Sequence, residues 1–120
     1  MMAKVFLGLG SNIAPQIHLP QAINTLKALH GGIQLSPVYE SESVGFKGDN
    51  FLNLVALINT EASVGELNEQ LKAIEFNSGR ERNAAKFSNR TLDIDILLYD
   101  DLVGTFSGVE LPRAEIYKTL

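Results

Sequence analysis

No cysteine occurs among the 120 residues, which removes disulfides, thiolate metal sites and cysteine nucleophiles together and fits a reducing, cytoplasmic setting. Prolines number only four, and the chain shows no linker, internal repeat or low-complexity tract. With 45% hydrophobic residues, one compact domain spanning 1–120 is therefore expected. A long uncharged apolar run is missing, and Met1-Met2-Ala3-Lys4 opens without a secretory apolar region or cleavage site, so neither a membrane span nor a leader is expected. Excess basic charge is missing too: a net charge of −4 argues against a general nucleic-acid binder. The two histidines, His18 and His30, lack metal-ligand spacing and read as residues flanking a helix.

What is present points to chemistry. Arg90-Thr91-Leu92-Asp93-Ile94-Asp95-Ile96 sets two carboxylates two positions apart inside an apolar, strand-like run. Residues i and i+2 share one face of a strand, so Asp93 and Asp95 are expected side by side, with Leu92, Ile94 and Ile96 on the other face. Aspartate is depleted in strands and an unpaired buried carboxylate is costly, so the pair calls for a counter-charge or a hydrated metal. Hard oxygen donors at this separation suit Mg²⁺, which keeps its other positions for water and phosphate. The alternative is a half-solvated strand with both aspartates facing water.

Basic charge is concentrated just before that pair. Of the ten Lys and Arg residues, four (Arg80, Arg82, Lys86 and Arg90) fall within positions 80–90. Guanidinium forks match phosphate oxygens, so an arginine-rich loop beside an Asp-x-Asp strand reads as a nucleotide site, the cations for phosphates and the carboxylates for Mg²⁺. Taken alone, the loop also fits a solvated surface segment.

Periodicity outlines the elements. Lys4 to Gly8 reads as a short strand, and Gly8-Leu9-Gly10-Ser11-Asn12 is expected to turn the chain; Ile13 stands where a dinucleotide fingerprint needs its third glycine. Pro20 suits a first helical turn, Ala22, Ile23, Leu26 and Leu29 recur at helical spacing, and Gly31-Gly32 stops the run. Ile33 to Ser43 and Phe51 to Thr60 predict two strands. Ser63-Val64-Gly65-Glu66 matches a capping box, Leu67, Leu71 and Ile74 supply an apolar face, and Gly79 closes the second helix. Thr91 to Tyr99 is the fourth strand. The order β-α-β-β-α-β predicts an α+β, ferredoxin-like sandwich, an antiparallel sheet with both helices on one face and the other left for a ligand. Residues 100–120 read as loop and turn, with Leu111-Pro112 along an edge.

Gly10-Ser11-Asn12, Phe51-Leu52-Asn53, Ile74-Glu75, Gly79-Arg80-x-Arg82 and Arg90-Thr91-Leu92-Asp93-Ile94-Asp95-Ile96-Leu97, in this order, resemble the motifs of the 6-hydroxymethyl-7,8-dihydropterin pyrophosphokinases. The resemblance implies Mg²⁺-dependent transfer of pyrophosphate from ATP to a hydroxymethyl pterin in folate synthesis. It implies that Asp93 and Asp95 hold two Mg²⁺ ions, that Arg80 and Arg90 grip the transferring phosphates with Arg82 on the same loop, and that Glu75 and Ile96 contact the nucleotide. Asp95, Arg80 and Arg90 would thus be catalytic. The same resemblance makes Phe51 the aromatic and Asn53 the amide of the pterin pocket, with Ser41 and Val44 on its loop. The basic loop over 80–89 would act as a lid, with Phe87 available for stacking.

Where the family carries Pro-His and an aromatic, this chain has Pro112-Arg113-Ala114, leaving Arg113 as a phosphate contact. The family pattern continues beyond Thr119-Leu120 through a further arginine-aromatic motif, a strand and a helix. Two function classes stay open: a pyrophosphokinase, or a paralogue that binds a pterin or a protein partner without transfer. A ferredoxin-like RNA-binding module is a third, disfavoured by the acidic balance and the lack of paired aromatics. Monomer and homodimer both remain open.

Overall fold

A computed structural model of the chain describes residues 2–42, 50–79 and 92–113. In chain order its elements are β1 (Ala3–Ser11), α1 (Pro15–His30), β2 (Gln34–Leu35), β3 (Tyr39–Ser41), β4 (Phe51–Thr60), α2 (Val64–Asn77), β5 (Asp93–Tyr99), β6 (Gly104–Phe106) and β7 (Val109–Leu111). One antiparallel sheet runs β2-β4-β1-β5, with β3 also paired to β4, and β6-β7 forms a separate hairpin. This mixed architecture, an antiparallel sheet with two helices, is compatible with the ferredoxin-like expectation.

Alternation in the strands creates two chemically different faces. Val5, Leu7 and Leu9 of β1, Leu54, Ala56 and Ile58 of β4, and Ile94 and Ile96 of β5 are all buried. They join Leu19, Ala22 and Leu26 of α1 and Leu67, Leu71 and Ile74 of α2 in a single core. Removing that apolar surface from water is the main stabilising term of the fold. The intervening strand residues point to the opposite face, which neither helix covers.

Helix α2 begins as the sequence predicts. The Glu66 N–H donates to Ser63 Oγ at 3.2 Å while the Ser63 N–H donates to Glu66 Oε1 at 3.0 Å, satisfying two amides that the first turn cannot. These bonds to Ser63 lower the Glu66 pKa below its ordinary 4.5. Gly31, at φ 79, ends α1 in a conformation open mainly to glycine.

Several local expectations are corrected. Helix α1 starts at Pro15, not around Pro20, which lies inside the helix; its missing N–H is tolerated because both Pro20 and the Gln16 backbone it would have served lie on the exposed side. Both His18 and His30 also lie within α1, and Leu29 is 52% exposed and outside the core. The strand expected over 33–43 is two short ones. Pro37 cannot donate to a ladder, and Ser36 bridges the break: its N–H donates to the Val55 carbonyl and its Oγ accepts from the Val55 N–H, both at 2.8 Å. The stretch after Tyr99 is not all loop, because Ser107 and Gly108 both take positive φ, the requirement of a tight two-residue hairpin turn. Val109 and Leu111 then enter the core.

Candidate active site

The sheet face opposite the helices is organised in ranks. Tyr39, Asn53, Gly10 and Asp93 are successive cross-strand partners, and Val55, Gly8 and Asp95 form the neighbouring rank. Direct partners project to one face, so the two aspartates of β5 and the Asn53 amide of β4 stand on the same side with the two glycines of β1 between them. Leu92, Ile94 and Ile96 are buried at 1%, 3% and 2%, as the alternation predicts.

The two glycines keep the floor of this face low. A Cβ on Gly10 would lie 2.9 Å from Asn53 Oδ1 and 3.6 Å from Phe51 Cδ1, and one on Gly8 would lie 3.3 Å from the Leu97 side chain. Gly8 to Asn12 do not turn the chain as expected: β1 runs through to Ser11, and the glycines serve as side-chain-free strand positions. Their spacing of two, which in a strand means one shared face, was the signal that could have disclosed this.

Asn53 is held in place before any ligand arrives. Its Nδ2 donates to Ser41 Oγ at 2.8 Å and lies 3.4 Å from the Phe51 carbonyl, an arrangement that sets Oδ1 over Gly10. Ser41 and Phe51 are direct partners between β3 and β4. Three of the four expected pterin residues, Ser41, Phe51 and Asn53, are thus brought together. Val44 lies outside the described residues, as do Arg80, Arg82, Lys86, Phe87 and Arg90.

Glu75 is 7% exposed, and its Oε2 accepts the Ile94 N–H at 2.8 Å. That amide belongs to the residue between the two aspartates, on the outer edge of β5, so the carboxylate of α2 fastens the strand at the point where both leave it. The Ile96 side chain is in the core, and only its backbone is positioned to meet a ligand. The peptide groups of residues 94 and 96 face the same strand edge.

Asp93 and Asp95 are each half-buried. Arg113 Nη1 lies 3.9 Å from Asp95 Oδ1, with 35% and 40% of the two side chains exposed, and the Arg113 N–H donates to the Leu97 carbonyl at 3.0 Å. Among the described residues no third acidic or imidazole side chain completes a metal cage. Two carboxylates above a glycine floor fit Mg²⁺, which takes few protein ligands and retains water or phosphate at its other positions, better than a fully protein-coordinated cation. A cleft of about 100 Å³ lies elsewhere, between α1 and α2, lined by His18, Gln21, Thr25 and Asn77 among others and by none of the open-face residues. Among the described residues no helix is long and apolar enough to cross a membrane.

Comparison with known proteins agrees with this geometry. A family model described as 7,8-dihydro-6-hydroxymethylpterin-pyrophosphokinase matches residues 6–119. The chain is 41% identical to a 2-amino-4-hydroxy-6-hydroxymethyldihydropteridine pyrophosphokinase of Aquifex aeolicus over 98% of its own length and 74% of the relative's. It is 36% identical to the bifunctional protein FolKE of Lactococcus lactis, over 99% of this chain and 35% of that one. A pyrophosphokinase of the same description from Pseudomonas aeruginosa is 32% identical, over 97% of this chain and 70% of the relative. Ordered motifs, an open sheet face carrying the aspartate pair and these matches converge: the chain belongs to the 7,8-dihydro-6-hydroxymethylpterin pyrophosphokinase family, diphosphotransferases that act on a hydroxymethyl dihydropterin.

Proposed function

We propose that the chain transfers pyrophosphate from ATP to the hydroxymethyl group of 6-hydroxymethyl-7,8-dihydropterin in a Mg²⁺-dependent reaction of folate biosynthesis. The observation that carries this reading is the shared open face, on which Asp93 and Asp95 stand across a glycine floor from Asn53 and Phe51. Phosphoryl transfer asks a protein for alignment and charge neutralisation more than for covalent chemistry. Bound Mg²⁺ would supply charge neutralisation at the phosphates and lower the cost of bringing the hydroxyl to them.

The chain's own residues divide the remaining work. Asp93 and Asp95 provide the anionic ligands, kept apart from the core by strand alternation and held in line by Glu75 through Ile94. Asn53, fixed by Ser41, offers hydrogen bonds to the ring edge, and Phe51 offers an apolar surface for the ring. Backbone groups along the β5 edge near Ile96 suit a nucleotide base. Arg80, Arg82 and Arg90 are proposed to bind phosphate, and Val44 to line the pterin loop.

A coupled assay for AMP release with ATP, Mg²⁺ and the hydroxymethyl dihydropterin tests the reading. Asp95→Ala should reduce turnover by at least about 10²-fold, the scale associated with removing one preorganised electrostatic contact to a transition state. Full Mg²⁺-dependent turnover by the variant would overturn the metal assignment. A second reading, a pterin-binding paralogue without transfer, draws on Arg113 occupying the side of Asp95. Pterin binding without AMP release from the wild-type protein would select it.

A further inference from the structure

Resting on the pyrophosphokinase reading, we propose that Ser41 sets the ring specificity of the pterin site by fixing Asn53 as a pure hydrogen-bond acceptor, so that the site selects a ring edge with two adjacent N–H donors. An amide side chain has a donor end and an acceptor end, and its neighbours decide which end meets a ligand. One end of the Asn53 amide lies 2.8 Å from Ser41 Oγ and 3.4 Å from the Phe51 carbonyl oxygen. A carbonyl only accepts, so this end must be the NH2, and its hydrogens are directed at those two oxygens. Oδ1 is thereby turned over Gly10, 2.9 Å from the position that a Cβ there would take. Among the described residues no donor is paired with it.

A ring lying on this face meets one amide oxygen with two lone pairs and no available amide N–H. The 2-amino-4-oxo ring of a pterin is a cyclic acylguanidine whose N3–H and 2-amino group are adjacent donors, and both can converge on one oxygen. Its near-isosteric 2-oxo counterpart replaces the second donor with a carbonyl, which would face Oδ1 acceptor to acceptor. Shape hardly separates the two rings. Polarity does, because a site built for a donor keeps an unpaired acceptor when that donor is missing. Ser41 need not touch the ring to act in this way. It stands directly opposite Phe51 and diagonal to Asn53, so strand register puts its hydroxyl where it holds the amide in one orientation. The 3.4 Å contact with Phe51 is too long to hold the amide by itself, so loss of the Ser41 bond lets the NH2 turn outward and removes the preference.

The test uses the full chain and titrates 6-hydroxymethyl-7,8-dihydropterin and its 2-oxo analogue by calorimetry against wild type, Ser41→Ala, Ser41→Thr, Asn53→Ala and Asn53→Asp. Wild type should prefer the amino ring by about ten- to a hundred-fold, the scale of one acceptor left unpaired. Ser41→Ala should weaken the amino ring and tighten the oxo ring, lowering the preference by about five- to ten-fold, and Ser41→Thr, which keeps the hydroxyl, should restore it. A merely structural serine would weaken both rings alike. Asn53→Asp presents only acceptors and should bind the amino ring about five- to ten-fold more tightly than Asn53→Ala, whereas a ring that accepted from Asn53 would reverse that order. With AMP release by the wild type intact, an unchanged preference in Ser41→Ala, or weaker binding by Asn53→Asp than by Asn53→Ala, overturns the specificity assignment alone. A wild-type protein that neither binds the dihydropterin nor releases AMP overturns the pyrophosphokinase reading and this assignment with it.

Discussion

Replacing Gly10 by alanine should separate ligand recognition from folding. The new methyl would lie 2.9 Å from Asn53 Oδ1, so the amide must yield, and doing so pulls Nδ2 from its 2.8 Å bond to Ser41. Gly10 is an extended strand residue, and alanine there gains about 0.5–1 kcal/mol from the glycine's lost backbone freedom. The displaced Asn53–Ser41 hydrogen bond costs about 1 kcal/mol, so the two nearly cancel. Melting temperature should therefore move by no more than about 4–8 °C in either direction. Pterin affinity, in contrast, should fall about ten-fold, the equivalent of one misplaced hydrogen bond. Fluorescence titration with the dihydropterin beside a thermal melt reads both quantities. Asn53→Ala should weaken the pterin comparably, and adding Gly10→Ala to it should weaken binding no further, since the residue through which the methyl acts is already gone. Undiminished affinity in Gly10→Ala, or additive losses in the double variant, would refute the argument that the glycine exists to seat Asn53.

Three further outcomes follow from α2 and its partners. Glu75→Ala should destabilise the protein by about 1–3 kcal/mol in urea unfolding, because the buried acceptor of the Ile94 amide disappears; Glu75→Gln, which retains an acceptor, should lose less. Ser63→Ala should cost about 1 kcal/mol as a lost N-cap. The Glu66 pKa is lowered in the folded state, so its contribution is fully present above the unfolded-state value of 4.5 and is lost as pH falls through the lower folded value. The stability gap between wild type and Glu66→Ala should accordingly shrink on acidification below pH 4.5, and a gap that widens there would contradict the cap assignment.

The parts of this protein legible from sequence are those in which a short-range rule and the packing agree. The Asp-x-Asp strand, the Ser63–Glu66 capping box and the apolar face of α2 each combine a local pattern with burial, and each stands as expected. Pro20 misleads because proline marks helix starts only by tendency, while Pro15 following the left-handed Ala14 is the actual first turn. Ser107-Gly108 is a turn signal whose flanking strands are only three residues each, too short to show alternation. The Asn53–Ser41 bond and the Arg113–Asp95 pair join residues 12 and 18 positions apart in the chain through sheet pairing and a returning hairpin, and no local pattern encodes such meetings.

Among the described residues strand β5 pairs as a strand only with β1, which offers it two glycines where side chains would otherwise interlock. Such a strand is prone to mispairing. A slip by one residue would turn Ile94 and Ile96 to water and drive Asp93 and Asp95 into the layer packed on the helices. Each unpaired carboxylate forced there would cost several kcal/mol. The aspartate pair therefore acts before any substrate is met: while the chain is folding it makes the wrong alignment of its own strand the expensive one.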